Sequence, residues 1–91
     1  MPDTATRPTD GEGEGLTISR ELDLRGLNCP MPVLKTAKAL QGVEAGERIA
    51  VLASDPLAGL DIPHFCNEQG HVLEDSARDD GCMRFVIRKG A

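Results

Sequence analysis

The chain has 91 residues and a formal net charge of −5. That length supports one small domain with a thin core, which leaves little room for a deep substrate cavity. The acidic balance argues against electrostatic binding of nucleic acid, because phosphate contact needs a basic face. Neither a membrane span nor a secretory signal is recognisable, so we expect a cytoplasmic protein without a membrane partner. The three cysteines are an odd number without tight spacing, which predicts free thiols rather than a disulfide framework.

The first 19 residues are rich in Gly, Pro, Thr and acidic residues and contain almost no large apolar side chains. Such a segment cannot bury enough surface to offset the entropy that it loses on ordering. We therefore expect a disordered N-terminal tail over residues 1–19 and a single folded domain over residues 20–91.

The first half of the predicted domain alternates strand and helix. Polar and apolar residues alternate over residues 21–25, which is typical of a half-buried strand. Residues 30–41 predict a helix, and its apolar face is expected to hold Val33, Leu34, Ala37 and Leu40. Residues 48–53 are almost wholly apolar, which indicates an inner strand.

The second half begins with a helix predicted over residues 58–69, whose buried side is expected to hold Ile62, Phe65 and Cys66. Pro63 lies within it and lacks an N–H, so we expect an irregular start around residues 59–61. A third strand is indicated by Val72, Leu73 and Ala77. A turn over residues 79–81 then leads into a fourth strand over residues 83–88.

This order of elements, β-α-β-α-β-β, predicts an α/β chain of the α+β two-layer sandwich type. Because β-α-β crossovers are right-handed, both helices are expected on one face of a four-stranded mixed sheet.

Cys29 is the main candidate for chemistry, since it follows a strand-to-helix loop and is predicted to be the N-cap of the first helix. Pro30 and Pro32 then occupy N1 and N3, where a missing N–H costs little and a fixed φ stiffens the loop. The N–H groups of Met31 and Val33 are expected to point toward the sulfur.

The positive end of the helix dipole favours a thiolate at Cys29. It is expected to lower the thiol pKa by about one unit from about 8.5. Arg25 lies across the loop and is expected to add to this effect. Cysteine is a poor cap compared with Ser, Thr, Asp or Asn, but a reactive cysteine and a structural cap both remain open on these grounds.

The other candidate residues carry weaker signals. Cys66 is interpreted as a small buried hydrophobe, with a second sulfur-accepting or resolving thiol as the alternative. Cys82 is interpreted as a bystander. His64, His71 and Cys66 match no zinc spacing, so no metal is expected. Asp55 is interpreted as a cap at the start of the second helix.

A stripe on the outward side of the first helix begins beside Cys29. It consists of Met31, Lys35 and Lys38, at positions i, i+4 and i+7. A charged outer face is usually only solvated, but this stripe also suits docking of an acidic partner that exchanges sulfur with Cys29.

The chain resembles the TusA/SirA-like family of bacterial sulfur carrier proteins, whose Cys-Pro-x-Pro signature matches Cys29-Pro30-Met31-Pro32 within residues 22–33. The likeness continues through Ser54-Asp55-Pro56 and residues 61–66 to residues 87–90, and it covers about residues 20–91. These later stretches are closer to the TusA branch than to other branches. Met31 departs from that branch, which often has Glu at this position.

The resemblance implies the same β-α-β-α-β-β fold, similar to the C-terminal domain of translation initiation factor 3. It also implies that Cys29 accepts persulfide sulfur from a cysteine desulfurase and passes it to a downstream relay protein. The pathway would be tRNA 2-thiouridine modification or another route, such as sulfur oxidation or molybdenum-cofactor or selenium metabolism. Such a sulfurtransferase-type carrier needs no cofactor and no direct contact with nucleic acid.

Two other functions remain open at this point. One is a non-catalytic regulatory or protein-interaction module of the SirA-like type, which keeps the signature only for folding. The other is a dithiol redox protein that uses Cys29 and Cys66.

Overall fold

The computed structural model describes residues 18–90. The prediction of a disordered tail falls largely on residues 1–17, which lie outside the described residues. The described part follows the order strand β1 (Ile18–Asp23), helix α1 (Met31–Gln41), strand β2 (Arg48–Ala53), helix α2 (Ala58–Gln69), strand β3 (Val72–Asp79) and strand β4 (Cys82–Arg88). The bounds of β2 and α2 are those predicted. β1 begins and ends earlier than predicted.

The strands form one mixed sheet in the order β1-β2-β4-β3. The pair β1–β2 is parallel, whereas β2–β4 and β3–β4 are antiparallel. Alternate residues of the two central strands pack in one apolar cluster with residues from both helices, so both helices cover the same face. The predicted two-layer fold with a four-stranded mixed sheet is confirmed.

The core between the sheet and the helices is small and aliphatic, with one buried aromatic ring at Phe85. Leu40 of α1 and Ile62 of α2 are buried against it, as predicted. Leu34 is not, because its side chain is 55% exposed, while Thr36 and Ala39 lie on the buried side instead. The buried face of α1 is therefore rotated relative to the predicted one, away from Leu34 and toward Thr36 and Ala39.

Helix α2 starts irregularly, as the position of Pro63 predicts. The N–H of Gly59 donates to Pro56 O at 3.2 Å and that of Leu60 to Leu57 O at 3.0 Å. These bonds span three residues rather than four, so the first turn is wound more tightly than an α-helix.

The β3–β4 hairpin closes through Asp80 and Gly81, which both have positive φ, 53° and 80° respectively. Asp79 pairs with Cys82 across this two-residue turn. Two central residues with positive φ are the mark of a type I′ turn, which the Asp-Gly pair predicted.

The sheet face away from the helices carries ion pairs. Glu74 accepts hydrogen bonds from Arg48 and from Arg88, the latter at 2.8 Å, and these two guanidinium groups hold the pKa of Glu74 below its usual range. No helix in the described part of the chain has the length and apolar character of a membrane span.

Candidate functional site

The starts of the two helices meet at one edge of the sheet. Because β1 and β2 are parallel, the loops that follow them leave the sheet at the same edge. The loop after β1 contains Cys29, and the loop after β2 contains Ser54 and Asp55. The Gly26 N–H donates to Ser54 Oγ at 2.8 Å, which fastens one loop to the other.

Asp55 links the Cys29 loop to the start of α2. One of its carboxylate oxygens accepts the Cys29 backbone N–H at 2.6 Å, and the other accepts the Leu57 N–H at 3.1 Å. The Asp55 backbone carbonyl also accepts the Ala58 N–H at 2.9 Å. Asp55 is not the cap that the sequence predicts, because the N-cap of α2 is Leu57 and has no side-chain cap hydrogen bond. Its carboxylate instead joins the backbone of Cys29 to the backbone of Leu57.

Cys29 is not the N-cap of α1. The helix begins at Met31 and its N-cap is Pro30, so Cys29 lies one residue outside and Pro32 occupies the second helical position. The Met31 N–H donates to Asn28 O at 2.8 Å and is not directed at the sulfur. Pro32 is buried and Val33 is partly buried against the core, so both anchor the helix start.

Arg25 does not act on the Cys29 sulfur as predicted. Its guanidinium donates two hydrogen bonds to the Asp23 carboxylate, at 2.7 and 2.6 Å. This pairing lowers the pKa of Asp23 to about 2. Asp23 lies only two residues before Arg25 in the chain, and its carboxylate binds the guanidinium.

The pKa of Cys29 is raised above its ordinary value. Side-chain hydrogen bonding to Asp61 is the largest cause, and desolvation and the negative charges of Asp61 and Asp55 act in the same direction. The prediction of a lowered pKa is wrong, because these two carboxylates oppose the helix dipole. Cys29 is an exposed residue.

The other two cysteines have different surroundings. Cys66 is 2% exposed on the inner side of α2, and burial raises its thiol pKa to about 11. Cys82 is half-buried at the start of β4. All three cysteines are free thiols. Cys66 is therefore shielded from a large partner, in line with its interpretation as a small hydrophobe.

The two histidines and Cys66 do not share a site. His64 is exposed and lies 3.4 Å from Glu68, while His71 Nδ1 accepts the Gly90 N–H at 3.0 Å. Among residues 18–90 no group of three His, Cys, Asp or Glu side chains is arranged to hold a metal ion.

The predicted docking stripe on α1 is exposed beside Cys29. Met31 is 38% exposed, and Lys35 and Lys38 are exposed one and two turns further on. The two lysines also line a groove between α1 and the edge strand β1, together with Arg20. This groove adds a cation that the helical pattern alone did not reveal.

Three leucines at or near the starts of the two helices are also exposed. Leu34 on α1 is 55% exposed, and Leu57 and Leu60 at the start of α2 are 49% and 71% exposed. The contribution of α2 to the site, including Asp61, was not predicted from the sequence. A signal was available in the order of elements, because a β-α-β crossover makes β1 and β2 parallel, and both helices then start at the same sheet edge.

Comparisons with known proteins agree on one family. The family model described as "Sulfurtransferase TusA" matches residues 20–89. Over 72 residues the chain is 37% identical to the sulfur carrier protein TusA of Allochromatium vinosum, covering 79% of this chain and 95% of that protein. Over 70 residues it is 43% identical to the sulfur carrier protein TusA of Pseudomonas putida, covering 77% of this chain and 88% of that protein.

A solved structure is also similar to this chain. The crystal structure of the SirA-like protein from Desulfitobacterium hafniense matches with a TM-score of 0.70 and 26% sequence identity. The match covers 79% of this chain and 99% of that protein.

Proposed function

Because this chain belongs to the TusA sulfurtransferase family, we propose that it carries sulfur as a persulfide on Cys29. The observation that supports this most directly is the Asp55 bridge, which holds Cys29 exposed at the corner where both helices start. Cys66 is buried and Cys82 half-buried, so neither offers a comparable thiol. A sulfur carrier must present its thiol to large partners, and Cys29 meets that requirement.

The proposed loading step is a thiol–persulfide exchange. The Cys29 sulfur gives up its proton and attacks the outer sulfur of a donor cysteine persulfide. A new S–S bond forms on Cys29, the S–S bond of the donor breaks, and the donor cysteine leaves as a thiolate that takes up a proton. Delivery is the same exchange with an acceptor cysteine as nucleophile and Cys29 as leaving group.

The partners follow from this chemistry. We propose a cysteine desulfurase as donor and a downstream sulfur-relay protein as acceptor, both in the cytoplasm, where thiols stay reduced. Formation of 2-thiouridine in tRNA is the first acceptor pathway to examine. Lys35 and Lys38 favour a partner with an acidic surface, and Met31 offers it an adaptable apolar contact next to Cys29.

The test is intact-mass spectrometry after incubation with a cysteine desulfurase and free cysteine. Wild type is expected to gain the mass of one sulfur atom, which a reductant then removes. Cys29→Ser is expected to gain none, while Cys82→Ser loads like wild type. Equal loading of Cys29→Ser and wild type would overturn the proposal.

One observation favours the alternative of a non-catalytic interaction module. The raised pKa of Cys29 means that its thiol is no more ionised than that of a free cysteine, as expected of a residue kept for folding. Alkylation rates therefore do not separate the two functions, whereas sulfur loading does. An interaction module predicts no mass gain in wild type. It also predicts that the Cys29→Ser variant keeps its function.

A further inference from the structure

Three exposed cations line the groove between α1 and the edge strand β1, namely Arg20, Lys35 and Lys38. A Cβ built on Gly42, just after α1, would lie 3.1 Å from a guanidinium nitrogen of Arg20. Arg20 therefore lies where α1 ends and β1 begins. Lys38 and Lys35 follow in that order toward Cys29, because α1 starts beside it. This cationic groove thus runs from the start of β1 toward the thiol.

The positive charges of the cationic groove are not balanced by the described part of the chain. Within residues 18–90, no carboxylate forms an ion pair with Arg20, Lys35 or Lys38. The arginines that do pair with carboxylates in that range are Arg25, Arg48, Arg84 and Arg88. Like charges on adjacent helical turns repel each other, so the groove attracts a negative ligand.

The open edge of β1 makes the cationic groove suited to an extended segment. Among the described strands β1 pairs only with β2. The apolar side chains of Leu22, Leu24 and Ala39 form part of the groove wall. A chain laid along this edge would direct every second side chain toward α1, because alternate residues of a strand share one face. The ligand expected here is therefore an extended segment with acids at every second position.

The sequence contains such a segment just ahead of β1. Residues 10–14 read Asp-Gly-Glu-Gly-Glu. In an extended chain the three carboxylates of this acidic segment point to the same side, with a spacing of about 7 Å. Side chains three apart on a helix, such as Lys35 and Lys38, have Cβ atoms about 5–6 Å apart. The two rows of charge therefore match within the reach of the long lysine side chains.

The acidic segment is also close enough to the groove along the chain. Only residues 15–17 separate it from Ile18, the first residue of β1. Three-residue loops are common in hairpins, and Gly15 is of the residue type that such loops favour. The connection is therefore long enough for the acidic segment to return along the edge of β1.

We propose that the acidic segment binds the cationic groove, with Glu14 nearest Arg20 and Asp10 nearest Lys35. Each exposed ion pair is weak on its own. A short linker raises the effective concentration of the segment to about the mM range, so several weak pairs act together. The acidic segment lies outside residues 20–89, which the family model matches, so membership of the family does not imply this contact.

Occupancy of the groove has a consequence that rests on the proposed carrier function. Lys35 and Lys38 belong both to the cationic groove and to the surface proposed to dock an acidic partner. The acidic segment and the partner then compete for the same cations. Sulfur transfer at Cys29 is slowed until the partner displaces the segment. The segment therefore acts as an autoinhibitory contact that favours strongly acidic partners over weakly acidic ones.

The first test is cross-linking of the full chain with a water-soluble carbodiimide, which joins a carboxylate directly to a lysine amine where the two are in contact. The chain has three lysines, and the third, Lys89, donates to Val43 O at 2.8 Å and does not line the groove. Peptide masses after trypsin digestion identify the joined residues. The expected main product is a monomer in which the acidic segment is joined to Lys35 or Lys38. Its yield should fall several-fold at about 1 M salt, where screening is strong.

Two variants and the distribution of products decide the outcome. Asp10→Asn/Glu12→Gln/Glu14→Gln, the neutral-segment variant, should lose the product, whereas Asp3→Asn removes an acid farther from β1 and should keep it. Links spread evenly over the three lysines, or none from the acidic segment, would overturn the inference. Cross-linked dimers in place of monomers would also overturn it, because the groove would then hold the segment of a second copy.

The second test measures the rate of sulfur loading by a cysteine desulfurase at low salt and at about 1 M salt. The neutral-segment variant is expected to load several-fold faster than wild type at low salt and equally fast at high salt. Asp75→Asn/Asp79→Asn/Asp80→Asn removes three exposed charges outside the groove and should not reproduce the increase. Equal low-salt rates of the neutral-segment variant and wild type would overturn the competition. A chain that gains no sulfur would refute the proposed function and leave the cross-linking result standing.

Discussion

Asp55 and Cys29 are 26 positions apart in the chain, yet the Asp55 carboxylate accepts the Cys29 backbone N–H at 2.6 Å. The same carboxylate accepts the N–H of Leu57 at the start of α2. One side chain therefore joins the loop that carries the thiol to the helix that carries Asp61. The position of the Cys29 loop relative to α2 therefore depends on Asp55.

Asp55→Ala is expected to weaken both the fold and the site. Loss of a carboxylate that accepts backbone N–H groups at a helix start lowers the free energy of unfolding by about 1 kcal/mol. The freed Cys29 loop should also load sulfur more slowly. Asp55→Asn is the matched control, because its amide oxygen still accepts one N–H. Its stability and its loading rate should lie between those of wild type and those of Asp55→Ala. Denaturant unfolding and the mass assay measure the two effects. An alanine variant as stable and as quickly loaded as wild type would contradict the role of Asp55.

Cys66 is expected to matter for stability and not for sulfur transfer. Cys66→Ser places a hydroxyl in an apolar core, and a buried polar group without a partner costs about 1–3 kcal/mol. Cys66→Ala adds no polar group and is expected to cost less than the serine variant. Both variants should still load sulfur on Cys29 once folded. Loss of loading in a folded Cys66→Ala protein would instead support a second sulfur-accepting thiol.

Much of the fold could be predicted because the local patterns agreed with one another. After Arg48, β2 is wholly apolar because it is a central strand, and the hairpin closes at an Asp-Gly pair that tolerates positive φ. The rotated face of α1 could not be predicted from periodicity, since Leu34 looks like a core residue. Leu34 is nevertheless 55% exposed, whereas the polar residue Thr36 is fully buried.

The position of Cys29 was predicted better than its electrostatics. The Cys-Pro-x-Pro run correctly indicated a cysteine beside a helix start, because proline is tolerated there. The sign of the pKa shift depends on Asp61, which lies 32 positions further along the sequence. Only the parallel pairing of β1 and β2 brings the two residues together. The residues around the first helix therefore predict the effect of the helix dipole. They do not predict the opposing effect of Asp61 and Asp55, which follow β2 in the chain.

His71 is expected to make the fold less stable in mild acid. Burial and the charge of Lys89 lower its pKa, and its neutral Nδ1 accepts the Gly90 N–H. A group whose pKa is lower in the folded state stabilises the fold fully above its ordinary pKa of about 6.5, and this stabilisation is lost as pH falls through the folded pKa. His71→Gln keeps a hydrogen-bond acceptor without titrating.

Urea unfolding midpoints at about pH 5 and about pH 8 measure this effect, since they bracket the titration of histidine. The midpoint of wild type should fall in acid by more than that of His71→Gln. His64→Gln is the matched control, because His64 is exposed. Its substitution should leave the change in midpoint between the two pH values as it is in wild type. An equal acid response in wild type and His71→Gln would rule out His71 as its source.

Lys35→Glu/Lys38→Glu is expected to slow transfer between Cys29 and an acidic partner. Both lysines are exposed, so the fold should survive, and exposed charges mainly change association rates. The difference in transfer rate between this variant and wild type should become smaller as salt is added, because salt screens the attraction between exposed charges. Arg84→Glu alters a cation on the opposite sheet face and should leave the rate unchanged. Transfer rates of the lysine variant that match wild type at low salt would remove the basis for this docking surface.

The register of the sheet separates Ile18 and Arg88 from the thiol. Ile18 pairs with Arg48, and Arg48 pairs with Arg88, so the first and last described strands meet at the start of β2. Cys29 lies beyond the other end of β2, a strand of six residues that spans about 20 Å. A fluorophore, affinity handle or fusion partner joined near Gly90 would thus face away from the sulfur. The protein can be anchored to a solid support by that end while a donor or acceptor approaches from the other.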